Sequence, residues 1–245
     1  MKNLSGTMVK LFYLLLISCL MRNVFGKNVF DQLTKKGDTI IKEARTDNMT
    51  RECSCDEENF CGTEIKEEVF DCFETCWFSV KSITDHPEQL KQCLKDKAYI
   101  IDQIISCLHE KAESCVPGMD GPQIHYIDIN KIIKSADAQI HLQADKFTKT
   151  LPNSARDLLE AAITVGTCVK ECFQEKNQGG FCFDHKGCQP KIETKEMRNA
   201  LKKCSKELEW QKEAAEMCDC AYKAGVGRVQ QYCDMIHAMN RHKPS

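Results

Sequence analysis

Val69-Phe-Asp-Cys72-Phe-Glu-Thr-Cys76 and Val165-Gly-Thr-Cys168-Val-Lys-Glu-Cys172 are the two stretches that decide the fold of this chain. Each contains a Cys-x3-Cys element and is followed by Leu-Lys-x-Cys and by a further cysteine fourteen residues later. The cysteines that continue the pattern are Cys93 and Cys107 after the first stretch and Cys204 and Cys218 after the second. Residues four apart lie on one helix face, so the recurrence predicts two tandem copies of a disulfide-stapled helical hairpin.

Residues 1–26 have the pattern of a cleavable secretory signal. Two lysines precede the apolar run Leu11–Met21, and Val24 and Gly26 supply the small residues before a cleavage point at Lys27. The run is shorter than the roughly 20 residues that span a bilayer, which favours a signal over a membrane anchor. We therefore predict a secreted, extracellular product with no membrane span after the signal is removed.

The cysteine count indicates the same compartment. The chain has 17 cysteines, of which Cys19 leaves with the signal. The remaining even number predicts eight disulfides in an oxidising environment. A zinc site is disfavoured because paired Cys-x2-Cys elements are absent from the sequence. The cysteines predicted to be bonded are Cys53, Cys55, Cys61, Cys72, Cys76, Cys93, Cys107, Cys115, Cys168, Cys172, Cys182, Cys188, Cys204, Cys218, Cys220 and Cys233.

Two features of the sequence predict properties of the protein surface: the distribution of charge and one N-glycosylation sequon. The formal net charge is −2, and basic residues are interspersed with acidic ones, which argues against a nucleic-acid partner. Asn48-Met-Thr50 is the one sequon after the signal and lies in a polar stretch. We predict that Asn48 carries an N-glycan, with an unused sequon as the alternative.

Helical periodicity and breaker residues predict an all-α protein with a defined order of segments. Residues 46–62 are predicted to be a loop, with the first long helix starting at Thr63. Strand signals are scarce along the whole sequence. The predicted segments are an N-terminal helix and glycosylated loop (27–52), a first eight-cysteine repeat (53–117), a linker with a bridging helix (118–152), a second eight-cysteine repeat (153–236) and a tail (237–245).

An antiparallel hairpin that turns at residues 84–85 would place residues at equal distances from the turn opposite one another. In the first repeat this predicts the bonds Cys76–Cys93 and Cys61–Cys107, with Cys115 bonded to Cys53 or Cys55 and Cys72 to the other. In the second repeat the longer loop leaves two alternatives open: Cys204 pairs either with Cys172 or with Cys168.

One short string resembles an enzyme signature. Cys182-Phe-Asp-His185-Lys-Gly-Cys188 is similar to the active-site sequence of secreted phospholipases A2, which are calcium-dependent. Phe181 and Lys186 depart from that signature, because a cysteine and the calcium-binding aspartate are expected there, and a suitable glycine-rich calcium loop is missing. We therefore predict that His185 is an exposed loop residue and that the protein is not an enzyme, with no catalytic residues, metal or cofactor.

The second cysteine set resembles a group of nematode secreted proteins, the chondroitin-proteoglycan-4-type domain family. The resemblance covers about residues 160–236 and rests on the 182–188 string, Cys204, Cys218-Asp-Cys220-Ala-Tyr-Lys-Ala-Gly225 and Cys233. It implies an extracellular, non-enzymatic protein, which in some members carries chondroitin chains. The sequence after residue 26 contains no Ser-Gly dipeptide, the usual attachment core, so we do not carry the proteoglycan role over.

Three functional hypotheses follow from these patterns. The first is a secreted helical scaffold that binds an extracellular protein or glycan or serves extracellular structure. The second is a carrier of a small apolar ligand, and the third is a phospholipase A2-like enzyme. The cavity of a carrier would be lined by Phe70, Phe73, Ile101, Ile105 and Leu108.

Overall fold

The computed structural model describes residues 27–149, 153–192 and 194–241. The predicted signal, residues 1–26, and the end of the predicted tail lie outside the described residues. The described chain is mostly helical, which agrees with the all-α prediction, but it also contains a three-stranded sheet that the sequence analysis did not predict.

Helices dominate the chain, and two 3-10 turns lie among them. In chain order, the elements are α1 (Lys27–Ala44), β1 (Arg45–Glu52), α2 (Cys55–Cys76), a 3-10 turn (Trp77–Ser82), α3 (Pro87–Asp96), α4 (Tyr99–Ala112), β2 (Gln123–Ile127), α5 (Ile129–Thr148), α6 (Asn153–Lys176), α7 (Cys182–Lys186), β3 (Cys188–Gln189), α8 (Thr194–Glu207), α9 (Trp210–Lys223), a second 3-10 turn (Gly227–Val229) and α10 (Gln230–Arg241).

The sheet has β1 at its centre, antiparallel to β2 and parallel to β3. Thr50 lies opposite Ile124, and Arg51 lies opposite Cys188. The predicted loop at 46–62 is therefore wrong, because this stretch is a strand followed by the start of α2. Strand β1 lacks the alternation of apolar residues that marks a strand, since of its residues only Glu52 is buried.

Helix α2 begins eight residues earlier than predicted because of a capping box at its N-terminus. The Ser54 side chain accepts a hydrogen bond from the Glu57 amide at 3.2 Å, and the Glu57 carboxylate accepts one from the Ser54 amide at 2.9 Å. Asp56, Glu57 and Glu58 place negative charge in the first turn, where the helix dipole favours it. The Ser54-x-x-Glu57 spacing of this capping box is present in the sequence and indicates a helix start there.

Helices of the first half pack against helices of the second half. Helix α2 lies along α6, α4 along α8, and α3 along α9. Two bonds, Cys72–Cys172 and Cys76–Cys168, join α2 to α6 in reversed order, so these helices are antiparallel. Helix α5, predicted to bridge the halves, packs mainly on α1, where Ile132 and Ala136 meet Ile40 and Ile41.

All sixteen predicted half-cystines are bonded, but the predicted hairpin pairings are wrong. Cys76 pairs with Cys168 and not with Cys93, and Cys61 pairs with Cys182 and not with Cys107. Cys115 does pair with Cys55, one of its two predicted partners. The eight bonds are Cys53–Cys188, Cys55–Cys115, Cys61–Cys182, Cys72–Cys172, Cys76–Cys168, Cys93–Cys220, Cys107–Cys204 and Cys218–Cys233.

The second-half alternatives are also wrong, because Cys204 bonds Cys107 and neither Cys168 nor Cys172. The hairpin count failed because α2, α3 and α4 of the first half pack on α6, α9 and α8 of the second half and not mainly on one another. The predicted second arm is not one helix but two, α3 and α4, which are separated at residues 97–98. Six of the eight bonds therefore join residues 53–117 to residues 153–236. Only Cys55–Cys115 and Cys218–Cys233 stay within one half.

The core is divided into packed groups around these bonds. One group gathers Cys53, Cys61 and Cys72 with Phe173 and Phe183, and every one of these five is buried. Within the described part of the chain, no helix is both long enough and apolar enough to cross a bilayer.

Candidate functional site

An open depression of about 450 Å³ lies where the sheet meets helix α7. We call it the Asn48 depression. It is lined by Asn48, Met49, Thr50, Tyr126, Phe183, Asp184 and Gly187. Its size falls within the range of about 300–1,000 Å³ that is usual for small-molecule sites.

Strand β1 brings its sequon to this depression through an irregularity in the pairing. The register between β1 and β2 shifts between Arg45 and Met49, and Asn48 lies within that shifted segment. Side chains of a regular strand alternate between faces, whereas a bulge re-aims them. Asn48 is exposed, but it lies in a strand rather than in the predicted loop.

Asp184, which lines the depression, accepts two hydrogen bonds. The Tyr126 hydroxyl donates to Asp184 Oδ1 at 2.9 Å, and the amide of Phe181 donates to Asp184 Oδ2 at 2.9 Å. Burial raises the pKa of Tyr126, and the hydrogen bond to Asp184 raises it further. Tyr126 therefore keeps its proton and acts as a donor that orients the carboxylate. Gly187 ends α7 in the left-handed region, with φ of 63°.

The phospholipase-like string forms this corner of the molecule as helix α7 and strand β3. His185 is exposed, as predicted, but it lies in the short helix α7 and not in a loop. Cys182 and Cys188 at the ends of the string are bonded to Cys61 and Cys53. The string therefore anchors α7 and β3 to the first half of the chain.

A second polar cluster surrounds the fully buried Glu58. Ser114 Oγ donates to Glu58 Oε1 at 2.9 Å, and His109 Nδ1 lies 3.3 Å from the same oxygen. Burial raises the pKa of the Glu58 carboxyl, against the opposing effects of Ser114 and His109. The other oxygen, Oε2, is buried without a hydrogen-bond partner. An unpartnered buried oxygen is costly when the group is charged, so the protonated form is favoured at this position.

This cluster does not have the geometry of a nucleophile and its base. In a catalytic triad the hydroxyl of the nucleophile is hydrogen-bonded to the histidine. In this cluster Ser114 and His109 instead both contact the same oxygen of Glu58. Ser114 is also only 1% exposed, so a substrate has no access to its hydroxyl.

Among the residues that the structure describes, two groups of side chains lie as close together as metal ligands do, but the cysteine sulfurs in both groups are in disulfides. These groups are Cys53, Glu57 and Cys188, and Glu58, His109 and Cys115. A cysteine binds a metal as its thiolate, and each of these cysteines is in a disulfide. Glu57 is also engaged by Arg51, whose guanidinium holds it at 2.8 Å and 2.9 Å and lowers its pKa to about 2.

The residues proposed to line the cavity of a carrier do not all come together, and Phe70, which is half-buried, belongs to neither of the packed groups that hold the other four. Ile105 and Leu108 are buried in a group with Ala200 and Leu201, and Ile101 packs at its edge. Phe73 belongs to another group, where its ring centroid lies 4.9 Å from that of Trp77. These side chains fill packed interiors on different helix pairs.

Sequence reasoning missed Tyr126, Asp184 and Glu58 as members of polar networks. In the sequence, Asp184 stood out only as part of the enzyme-like string, and Glu58 only as part of an acidic run. Their partners are 58 and 56 residues away in the chain, so no local pattern signals them.

Comparisons of the chain with protein-family models, with curated proteins and with solved structures returned no match. The resemblance to the nematode family therefore stays a prediction.

Proposed function

We propose that the protein is a secreted, non-enzymatic scaffold that binds a protein or a glycan outside the cell. The observation that carries this proposal is the set of six disulfides that join the two halves. Each such bond restricts the unfolded chain and contributes on the order of 2–4 kcal/mol. The half-cystines Cys53, Cys61, Cys72 and Cys76 are 0% exposed, so reductants reach their bonds only after the structure opens.

The compartment follows from the same bonds. Disulfides in this number form and persist in oxidising environments and are rare in the cytosol. The eight bonds thus support secretion, and the charged, apolar and small-residue pattern of residues 1–26 supports it independently. The resemblance of residues 160–236 to secreted nematode proteins points the same way.

The proposal of a non-enzymatic role rests on the polar groups that the structure brings together. Glu58 and Ser114 are closed to solvent, and their cluster has the wrong arrangement for proton transfer to a nucleophile. In the Asn48 depression, the Tyr126 hydroxyl donates to Asp184, and Asp184 also accepts from the backbone amide of Phe181. Both arrangements support a positional role for these side chains.

We also propose that the two halves are copies of one unit that pair like the subunits of a two-fold dimer. The shared spacing equates Cys72 with Cys168 and Cys76 with Cys172. If each cysteine is replaced by its equivalent in the other copy, the bond Cys72–Cys172 becomes Cys168–Cys76. This is the other disulfide that joins α2 to α6. This reciprocity is characteristic of an isologous interface.

The correspondence weakens towards the C-terminus. The counterpart of the bond Cys107–Cys204 would be Cys218–Cys93, whereas Cys93 is bonded to Cys220, two residues farther along. Cys218 instead closes a short loop with Cys233. A duplicated unit in which the second copy acquired an additional loop accounts for both observations.

Affinity capture from extracellular fluid tests the scaffold proposal. Oxidised mature protein is immobilised beside a matched sample that has been reduced and alkylated. We expect a partner, either a protein or a glycan, to be retained by the oxidised protein only. Equal capture by both samples, or release of a bound lipid in native mass spectrometry, would contradict a folded scaffold and favour nonspecific adhesion or the carrier hypothesis.

A further inference from the structure

We propose that the N-glycan of Asn48 folds back onto the protein and that its first sugar residues occupy the Asn48 depression. The inference rests on the proposed secretion, since N-glycans are added in the secretory pathway. The occupant is thus part of the mature molecule itself and not a separate ligand.

The position of the sequon is the first argument. Asn48, Met49 and Thr50, all three residues of the sequon, line the same depression. In a regular strand the middle residue would face the opposite side of the sheet. The shift in register between Arg45 and Met49 interrupts that alternation on the N-terminal side of Met49, and Asn48 lines the depression, so a sugar attached to Asn48 starts at the depression.

The chemistry of the lining is the second argument. A pyranose ring has an apolar C–H face and a rim of hydroxyl groups, and N-acetylglucosamine adds an amide donor. The Tyr126 ring and the Met49 side chain, which is 51% exposed, offer apolar surface. The Asp184 carboxylate offers acceptor capacity beyond the two hydrogen bonds it already receives, because it has about four lone-pair sites.

The covalent tether is the third argument. A group attached by a short flexible linker has an effective concentration in the millimolar range at a neighbouring site. A tenfold preference for the docked state therefore needs only a weak intrinsic affinity, with a dissociation constant of about 0.1 mM. A free ligand of the same chemistry would have to displace the tethered sugars.

Enzymatic release of the glycan from native protein tests the proposal. The full chain is secreted from eukaryotic cells, and occupancy of Asn48 is read from the intact mass before and after release. Peptide-N-glycosidase must reach the bond between Asn48 and the first sugar, so docking slows cleavage. We expect native release to be about tenfold slower than for an undocked glycan, which corresponds to about 1.4 kcal/mol of docking free energy.

The undocked reference is a glycan moved to the exposed linker after α4. Asn48→Gln removes the native sequon, and Gly118→Asn with Asp120→Thr creates a new one around Met119, which is 69% exposed. The space for the new Cβ at Gly118 is limited only by the Asp120 side chain, which the second substitution replaces. Denatured and reduced samples of both proteins should release their glycans at equal rates.

Tyr126→Ala in the otherwise unchanged protein should bring the native release rate to that of the linker glycan. A nuclear Overhauser contact between the N-acetyl methyl of the first sugar and the Tyr126 ring is expected in wild type and does not depend on any variant. Equal native rates for the Asn48 and linker glycans, an unchanged slow rate in Tyr126→Ala, or an unoccupied Asn48 would each overturn the docking proposal. None of these results would by itself contradict secretion of the scaffold.

Discussion

Cys76 on α2 and Cys168 on α6 are joined by a disulfide that brings their Cα atoms to 5.7 Å across 92 residues of sequence. One helical turn away, Cys72 and Cys172 repeat the bond with the same Cα separation of 5.7 Å. Two bonds one turn apart fix both the spacing and the rotation of the two helices. The contact between α2 and α6 is therefore a rigid element around which the remaining helices are arranged.

Cleavage of the linker should leave the protein in one covalent piece. A protease recognition sequence inserted between Met119 and Asp120 lies in an exposed segment between α4 and β2. After cleavage we expect one band on a non-reducing gel and two fragments on a reducing gel, because six disulfides cross the cut. Two fragments without reductant would show that each half forms its own bonds, as the sequence-based hairpin required.

Cys76→Ser and Cys168→Ser should impair secretion to the same extent, and the double variant should be no worse than either single. Each single variant breaks one bond and leaves an odd thiol that can form wrong bridges. The expected loss of stability is about 2–4 kcal/mol. Secreted yield and peptide mapping without reduction measure the outcome.

The matched control for this pair is Cys76→Ser combined with Cys93→Ser. In the structure these cysteines belong to two different bonds, Cys76–Cys168 and Cys93–Cys220. The control should therefore secrete less than either of its single variants. If it behaves like a single variant instead, Cys76 and Cys93 are partners and the described connectivity is wrong.

The buried Glu58 should make the protein more stable at mildly acidic than at alkaline pH. Its pKa is raised in the folded state, mainly by burial, so its favourable contribution is present at low pH and is lost as the pH rises through the folded pKa. Glu58→Gln cannot titrate, and we expect it to reduce the fall in the free energy of unfolding that wild type shows between about pH 5 and pH 8, the range above the ordinary glutamate pKa. Urea unfolding with the disulfides intact measures this slope.

Glu57 is the natural control because its pKa moves in the opposite direction. The Arg51 hydrogen bonds, which dominate, lower its pKa to about 2, so its contribution is present above about pH 4.5 and is lost as the pH falls towards 2. Glu57→Gln should destabilise the protein at pH 7 and leave the slope between pH 5 and pH 8 unchanged. A wild-type slope of zero in that window would contradict the assignment of Glu58.

Gly121→Ala should destabilise the protein by about 1–3 kcal/mol, as overpacking does in a tight interior. A Cβ at this position would lie 2.2 Å from the backbone oxygen of Glu52 and 3.1 Å from Val116, and backbone cannot move aside as a side chain can. Gly179→Ala is the control, since a Cβ there meets nothing within 4 Å, and its effect should stay within about 0.5 kcal/mol. Equal unfolding midpoints for the two variants would show that the linker does not approach β1 this closely.

Local patterns were sufficient for the helical class and for most of the helices. The bridging helix predicted within residues 118–152 is α5, and the first repeat predicted to end at residue 117 ends a few residues after α4. These features depend on side chains within a few turns of one another, which a sequence displays directly. Strand β1 was missed because its hydrogen-bonding partners, β2 and β3, begin 71 and 136 residues beyond its last residue, Glu52.

By itself, the sequence determined that sixteen cysteines are available after the predicted signal and that Cys72 and Cys76, like Cys168 and Cys172, share a helix face. Only the tertiary structure decided which helix faces pack against one another. It places six disulfides between the two halves, where the sequence analysis predicted bonds within each half. Helical periodicity shows that a face must be buried, but any apolar face of suitable length satisfies that requirement. The choice among such faces depends on the packing of the whole chain, as do the burial of Glu58 and the pairing of Tyr126 with Asp184.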